Sequence, residues 1–472
     1  MRIAAVDQGT TSTRALVLEP DGAARIVARQ RHRQHYPADG LVEHDPRELL
    51  ADIEACLEAA GPVDAIGLAN QGESCMAWDA ATGEALSPVI VWQDERTRDV
   101  TERLAAAGVG ALIEERAGLP LDPYFSATKL AWLYERLPAS ARGRQLRLGT
   151  TDAFFLRHLT GVDATDITTA SRTSLMNLAT GEWDDELCGV FGVPRETLPP
   201  IRATVDDFGA WRGVPVRASL VDQQAALYGH RCRAPGDLKI TFGTGAFVLA
   251  VTGEELVRAP ATGLLPTVAW QIGARRVHAL DGGVYNAGSA VEWALRLGLV
   301  AEPGALDAFD RPSAIDRDLA CVPALDGLGC PHWDRGAGAL LIGMRQASDG
   351  RDLAQAVLEG VALLTADVVA AMGRHAAGDA PVSVDGGLVR SGYFRRFLAS
   401  VLDRPVQVPA FDELTALGCA QLAGGRDDDH LAAPAAQVAP DGAGPARRAR
   451  FRAALERALG WRGASPATGA AR

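Results

Sequence analysis

The feature that most constrains this chain is a pattern that occurs twice. Near the start, apolar Ile3-Ala4-Ala5-Val6 runs into polar Asp7-Gln8-Gly9-Thr10-Thr11-Ser12-Thr13-Arg14 and returns to apolar Ala15-Leu16-Val17-Leu18. In the second half, Leu238-Lys239-Ile240-Thr241-Phe242 and Ala246-Phe247-Val248-Leu249-Ala250-Val251 enclose Gly243-Thr244-Gly245. A short apolar run, a small glycine-containing turn and a second apolar run read as a β-hairpin. Each hairpin opens a region where helical and strand patterns alternate. The fold predicted is therefore α/β, with two similar halves flanking a cleft that carries ligand groups on strand ends and loops.

Between the hairpins, residues 46–60 carry a helical pattern. Val63 to Ala69 reads as a buried strand ending at Asn70-Gln71-Gly72-Glu73, and Val89-Ile90-Val91-Trp92 as another. A helix is expected from Ser126 to Leu137, and a strand from Arg217 to Val221 that feeds Asp222-Gln223-Gln224 and a helix. Turn signals at Pro235-Gly236-Asp237 place a domain boundary near 225–235, giving units 1–230 and 231–460 and a flexible tail over 461–472. Further on, Val382-Ser383-Val384 precedes Asp385-Gly386-Gly387, a helix is expected from Leu414 to Ala423, and Arg448 to Leu459 reads as a docking helix.

Charge and cysteine usage narrow the function classes. Lys plus Arg number 47 against 59 Asp plus Glu, a net charge of −12, and no long basic run offers a local patch for a polyanion. Nucleic acid is not an expected partner. The seven cysteines lie too far apart for metal spacing and too sparsely to staple 472 residues. No run reaches the roughly 18 apolar residues of a membrane span. These features predict a soluble, cytoplasmic protein without a membrane partner.

The polar turns are candidate phosphate loops. Glycine lets a ligand approach the backbone, amides and hydroxyls of Thr10, Thr11 and Ser12 can cradle phosphate oxygens, and Asp7 can position Mg²⁺ or its waters. Arg14 is near enough in sequence to face the same phosphate. Gly243-Thr244-Gly245 is a second such clamp, and Asp385-Gly386-Gly387 can approach a nucleotide from the other side. Each turn is also read as ordinary strand packing, and their combination carries the argument. Asp222 at a strand exit is the candidate general base, with a helix-capping role as the alternative.

In this order the motifs resemble the FGGY carbohydrate-kinase family, its glycerol-kinase branch in particular, from about Ile3 to Gly424. VDQGTTSTR is similar to the family's first phosphate motif, TFGTGAF to its second and VDGG to its adenosine-side motif. GLVEHDP, VWQDERT, YFSATKLAWL, VDQQAALYG, DGLGCPHWD and TALGCAQLAG extend the match. The resemblance implies two ribonuclease-H-like (actin-like ATPase) domains, ATP with Mg²⁺, a small polyol or sugar acceptor and a homodimer.

It also implies an acceptor set of Glu73, Trp92, Tyr124, Asp222 and Gln223, with Gly72 standing where the branch carries Arg. Losing that guanidinium is expected to leave room for a longer acceptor such as a tetritol, pentitol or ketopentose, unless a donor from elsewhere keeps glycerol. On the nucleotide side the resemblance points to Gly288 and Glu292, the latter where Gln is common, and to Ser391 in place of Asn after the DGG turn. Phe208 to Pro215 is too short for the loop linked to sugar-bisphosphate inhibition in some glycerol kinases. A non-enzymatic ATP switch and a partner-driving ATPase stay open as alternatives, since a fold does not define an activity.

Overall fold

The computed structural model describes residues 1–142, 145–307, 309–378 and 380–462; the expected tail lies outside the described residues from 463 onward. Two large sheets form the framework. The first contains β1 (Ile3–Gln8), β2 (Ser12–Leu18), β3 (Ala24–Arg31), β4 (Ala65–Asn70) and β5 (Val214–Val221), in the order β5-β4-β1-β2-β3, with Ala210–Trp211 added outside β5. The second contains β6 (Leu238–Phe242), β7 (Ala246–Gly253), β8 (Leu265–Ile272), β9 (Arg275–Val284), β10 (Val382–Gly386), β11 (Val406–Pro409) and β12 (Pro434–Val438), in the order β8-β9-β7-β6-β10-β11-β12.

The repeat in the sequence is a repeat of topology. β1 is antiparallel to β2 and parallel to β4, which is parallel to β5. Correspondingly, β6 is antiparallel to β7 and parallel to β10, which is parallel to β11. All six residues of β1 and of β4 are buried, as expected for inner parallel strands covered on both faces. Parallel strands that start together also end together. Register pairs Gln8 with Asn70 and Asn70 with Val221, so Gly9, Gln71 and Asp222 emerge along one edge. Phe242 pairs with Gly386, which brings Gly243 and Gly387 to the matching edge of the second sheet. Both edges are carboxyl ends of strands, where open α/β sheets bind ligands.

The helices tie these edges down. α1 (Pro46–Ala60) starts at an Asp45 cap that accepts from Arg47 N–H, followed by Pro at the first turn. α2 (Ser126–Arg136) lies beside the acceptor strands, and α3 (Asp222–Gly229) begins directly where β5 stops. α4 (Gly288–Arg296) follows β9. α5 (Gly350–Met372) is the central helix of the second core. The helical run Gly350–Ala376, which extends α5 by a 3-10 turn, is long and apolar enough to cross a membrane by length and composition, with mean hydropathy 1.7. Burial of 78 % of that window inside the fold explains the composition.

α6 (Gly392–Leu402) leads to α7 (Leu414–Gly424), which returns to the first half. Leu414, Leu417 and Ala420 share a core with Ile3, Ala5, Ala69 and Leu220. Two glycines permit the crossing of α3 and α7: a Cβ on Gly418 would stand 2.0 Å from the Ala225 carbonyl oxygen, and one on Gly229 2.1 Å from that of Leu414. Chain order and core membership thus part company at α7, although α3 ends at Gly229 and β6 begins only at Leu238. α8 (Gly444–Ala458) occupies the region read as a docking helix and buries Phe451, Ala454, Leu455 and Ala458.

Candidate active site

The first phosphate turn is built on the β1–β2 pairing, which sets Asp7 opposite Arg14. Arg14 Nη1 lies 3.6 Å from Asp7 Oδ2 and 2.8 Å from Glu413 Oε2. Arg14 is therefore shared with a carboxylate from the start of α7. Burial pushes the Asp7 carboxyl up to about 6, Glu413 adds to that, and Arg14 and Arg29 oppose it. The shift is thus set mainly by burial, against the pull of two arginines. Gly9 N–H donates to the Ser12 carbonyl at 3.1 Å, closing the turn. Thr10 and Thr11 line the cleft, while Ser12 is a buried strand residue.

The acceptor wall is joined to that turn. Trp92 Nε1–H donates to Thr10 Oγ1 at 3.0 Å, and the Trp92 and Tyr124 rings are 5.4 Å apart. Lys129 on α2 fixes both segments, since its fully buried ammonium donates to the carbonyls of Tyr124 (3.0 Å), Val91 and Trp92 (both 3.3 Å). Replacing Lys129 by Met should leave those carbonyls unpaired. The expected result is a loss of about 2–4 kcal/mol in chemical denaturation and a raised acceptor KM, whereas unchanged stability would remove Lys129 from this role.

Asp222 opens α3 beside a cavity of about 120 Å³, also lined by Gly72, Glu73, Trp92, Tyr124 and Gln223. All five acceptor residues anticipated from the sequence meet there. Burial pushes the Asp222 carboxyl up to about 7, with repulsion from Asp7 and Glu73 adding and Lys239 and the Gln223 N–H opposing. Lys239, buried on β6, donates to Gln223 Oε1 at 2.7 Å and Thr241 Oγ1 at 3.0 Å. With its oxygen occupied, Gln223 is left with its amide N–H groups for a ligand.

Position 72 behaves differently from the expectation that a missing side chain leaves room. A Cβ there would stand only 3.1 Å from Val221 Cγ1, so Val221 holds the adjacent space. A guanidinium is present nonetheless. Arg172, which sequence reasoning missed, lies in the same cavity with Nε 2.6 Å from Glu73 Oε1 and Nη2 3.0 Å from Asp281 Oδ2. Asp281 on β9 and Phe247 on β7 complete the wall from the second half.

A larger cleft of about 660 Å³ adjoins this cavity and shares Thr10, Trp92, Tyr124, Arg172, Phe247 and Asp281 with it. Thr244, Gly245 and Ser289 bound its other side. Here the second turn and the start of α4 are in close approach: Gly288 N–H donates to the Gly243 carbonyl at 2.9 Å, and Ser289 N–H to that of Thr244 at 3.1 Å. A Cβ on Gly288 would sit 2.5 Å from Gly243 O, and one on Gly245 2.7 Å from Val284 O, so both positions exclude side chains. Gly387 N–H donates to the Phe242 carbonyl at 2.9 Å, placing the DGG turn against the same loop.

Two further nucleotide-side candidates lie on α4 and at the start of α6. Glu292 is exposed on α4. Ser391 is the N-cap of α6, its Oγ accepting from Phe394 N–H at 3.1 Å and donating to the Leu306 carbonyl at 2.8 Å. Those bonds explain a serine there without a nucleotide. Where the segment is too short for an inhibitor loop, Ala210–Trp211 and β5 are joined directly through Arg212 and Gly213, both at positive φ.

Two sheets of one topology, each presenting a glycine turn to a shared cleft with a smaller cavity beside it, define a two-lobed actin-like ATPase fold. The profile described as "FGGY family of carbohydrate kinases, N-terminal domain" matches residues 2–229, and its C-terminal counterpart residues 238–425. The chain belongs to the FGGY family of carbohydrate kinases and is an ATP-dependent carbohydrate or polyol kinase. Among curated relatives, glycerol kinases of Xanthobacter autotrophicus and Rhodospirillum centenum are each 43 % identical over 89 % of both chains. The crystal structure of Plasmodium falciparum glycerol kinase with ADP superposes with a TM-score of 0.90 at 27 % identity, covering 97 % of this chain and 98 % of that one. A xylulose kinase from Rhodospirillum rubrum shares the fold, with a TM-score of 0.85 at 24 % identity and coverage of 97 % and 98 %.

Proposed function

We propose that this chain transfers the γ-phosphoryl group of ATP to a terminal hydroxyl of a short acyclic polyol, with glycerol as the reference acceptor. The observation that carries the reading is the position of Asp222: its carboxyl, raised to about 7, faces a small polar cavity that shares six wall residues with the cleft between the glycine turns. A base acts best when its pKa is near the working pH. Asp222 accepts the proton of the attacking hydroxyl, and Glu73 and Gln223 orient the acceptor. Trp92 and Tyr124 wall its carbon chain. Thr10, Thr11 and the Gly243–Gly245 backbone face the transferring group, whose charge such donors stabilise.

Mg²⁺ would neutralise charge on the phosphates, and Asp7 is the residue suited to hold it directly or through water. Among the described residues no three His, Cys, Asp or Glu side chains are grouped to hold a metal ion. A magnesium held by one carboxylate plus substrate phosphates is the usual arrangement in kinase sites.

The pH dependence follows from the base. Below about 7 Asp222 carries a proton and cannot accept another, so kcat/KM should rise about tenfold per pH unit and level off above about 7. The stability contribution runs the other way. A carboxyl with a raised folded-state pKa binds its proton more tightly when folded, so its contribution is fully present below the ordinary aspartate value of 3.8 and is lost as pH rises through about 7. A flat rate profile between pH 5.5 and 8 would contradict the assignment.

Acceptor size distinguishes two readings. The cavity of about 120 Å³ and the Val221 contact beside Gly72 favour a three-carbon acceptor; the absence of a side chain at Gly72 favours a four- or five-carbon one. Measuring kcat/KM for glycerol, erythritol, threitol, xylitol, ribitol, xylulose and ribulose is expected to place glycerol above the five-carbon compounds by more than about tenfold, or ~1.4 kcal/mol. A five-carbon compound ahead of glycerol would replace the first reading by the second.

A further inference from the structure

Arg172 occupies an unusual position. It follows the short helix Ile167–Ala170, whose Asp166 cap accepts from the N–H groups of Thr168 and Thr169. Its own N–H is bonded to the Thr169 carbonyl at 3.0 Å. The side chain is 4 % exposed and lies 5.5 Å from the Phe125 ring centroid. Its guanidinium bridges the two halves of the molecule, with Glu73 from the first and Asp281 from the second. Nε and Nη2 are thereby engaged, but Nη1 is buried and has no hydrogen-bond partner.

A buried guanidinium nitrogen left without an acceptor is destabilising, because it has given up water and gained no partner. The surroundings offer it no further protein acceptor, and the residue lines the acceptor cavity. The other donors nearby are largely engaged: Trp92 Nε1 with Thr10, and Lys239 with Gln223 and Thr241. Around Arg172, ionised Glu73 and Asp281 can accept hydrogen bonds but not donate them. A hydroxyl placed at this corner can accept from Nη1 and donate to a carboxylate at the same time. An ether, a methyl group or a carboxylate cannot do both.

We propose that Arg172, held between Glu73 and Asp281, donates from Nη1 to a non-reacting hydroxyl of the acceptor, and that this corner selects polyols bearing a hydroxyl next to or beyond the one phosphorylated. Specificity for that hydroxyl then resides in a residue of the 167–174 segment and one of β9. The segment after β4 supplies Glu73 and no cation. Because Asp281 belongs to the second half, the acceptor would also meet both halves at one point. This inference rests on the polyol-kinase reading above.

The test pairs residue deletion with hydroxyl deletion. Glycerol is compared with 1,2-propanediol, which lacks one terminal hydroxyl, and 1,3-propanediol, which lacks the middle one, in the wild type and in Arg172→Lys and Arg172→Met. Thermal unfolding of each variant is recorded alongside. In the wild type, kcat/KM for at least one diol should fall by about 10²-fold or more, because a site built to bond a hydroxyl rejects the analogue without it. In a folded Arg172 variant, glycerol itself should lose at least about tenfold, chiefly in KM, and the penalty for that same diol should shrink to less than about tenfold. An undiminished diol penalty in a folded variant would overturn the proposal. So would a wild type that loses less than about tenfold with either diol, a result that needs no variant to fold. If the wild type forms ADP at the same rate with and without a polyol, the polyol-kinase reading fails together with it; glycerol turnover without diol discrimination sinks the Arg172 inference alone.

Discussion

Asp222→Asn is expected to lower kcat by about 10²–10⁴-fold, the range for loss of a general base, with acceptor binding kept within about tenfold. The side chains have nearly the same size, and Asn can still hold one substrate hydroxyl. It cannot take up a proton at neutral pH. The same substitution should raise the melting temperature at pH 8, where the wild type must ionise a carboxyl that burial, Asp7 and Glu73 all disfavour. Gain of stability with loss of turnover is the signature of a group placed for chemistry at some expense to the fold. Lower stability with proportionate loss of binding would instead make Asp222 a structural residue at the start of α3. Retention of more than about one-tenth of wild-type kcat would remove it as the base.

Asp7→Asn carries the second large effect. Removing the carboxylate should reduce phosphoryl transfer by about 10²-fold or more, the order found when one preorganised electrostatic group is lost, and should shift the magnesium dependence of the rate to higher concentrations. The fold should survive, because Arg14 retains Glu413 at 2.8 Å and Asn keeps the shape of the strand residue. Initial rates over a magnesium titration, with far-UV circular dichroism on the same samples, separate the two effects. Near-normal turnover with an unchanged magnesium midpoint would exclude Asp7 from the site.

What could be read from the sequence was what is local. The hairpins at Gly9–Thr11 and Gly243–Gly245 were legible because each joins apolar runs across a short glycine-containing turn. α1 was legible because Asp45-Pro46 signals a helix start and its apolar residues recur with helical spacing. The acceptor set was legible through motifs whose members are close in the chain. Arg172 was not, since its partner Glu73 is 99 residues away, and no local pattern in Ser171-Arg172-Thr173 marks a buried cation.

Lys239 illustrates the same limit. In sequence it is a charge in an apolar run, and only the placement of β6 beside the start of α3 gives it Gln223 as a partner. Gly72 raises a related point, because the side chain nearest to it, Val221, arrives from a strand far along the chain. Ser391 is the opposite case. A serine one residue before a helical run is a capping signal, and the structure shows that cap at the start of α6.

The central claim is that the two lobes form a kinase whose acceptor is a polyol hydroxyl bound beside Asp222. It is tested most directly by incubating the wild-type chain with ATP, magnesium and glycerol and quantifying ADP and phosphorylated glycerol together. The account predicts equimolar formation of both products, saturable in glycerol, with ADP formation without an acceptor at least about 10²-fold slower, because water entering the closed cleft lacks the contacts that position the polyol. ADP release at the same rate with and without any polyol or sugar, with no phosphorylated acceptor formed, would contradict it.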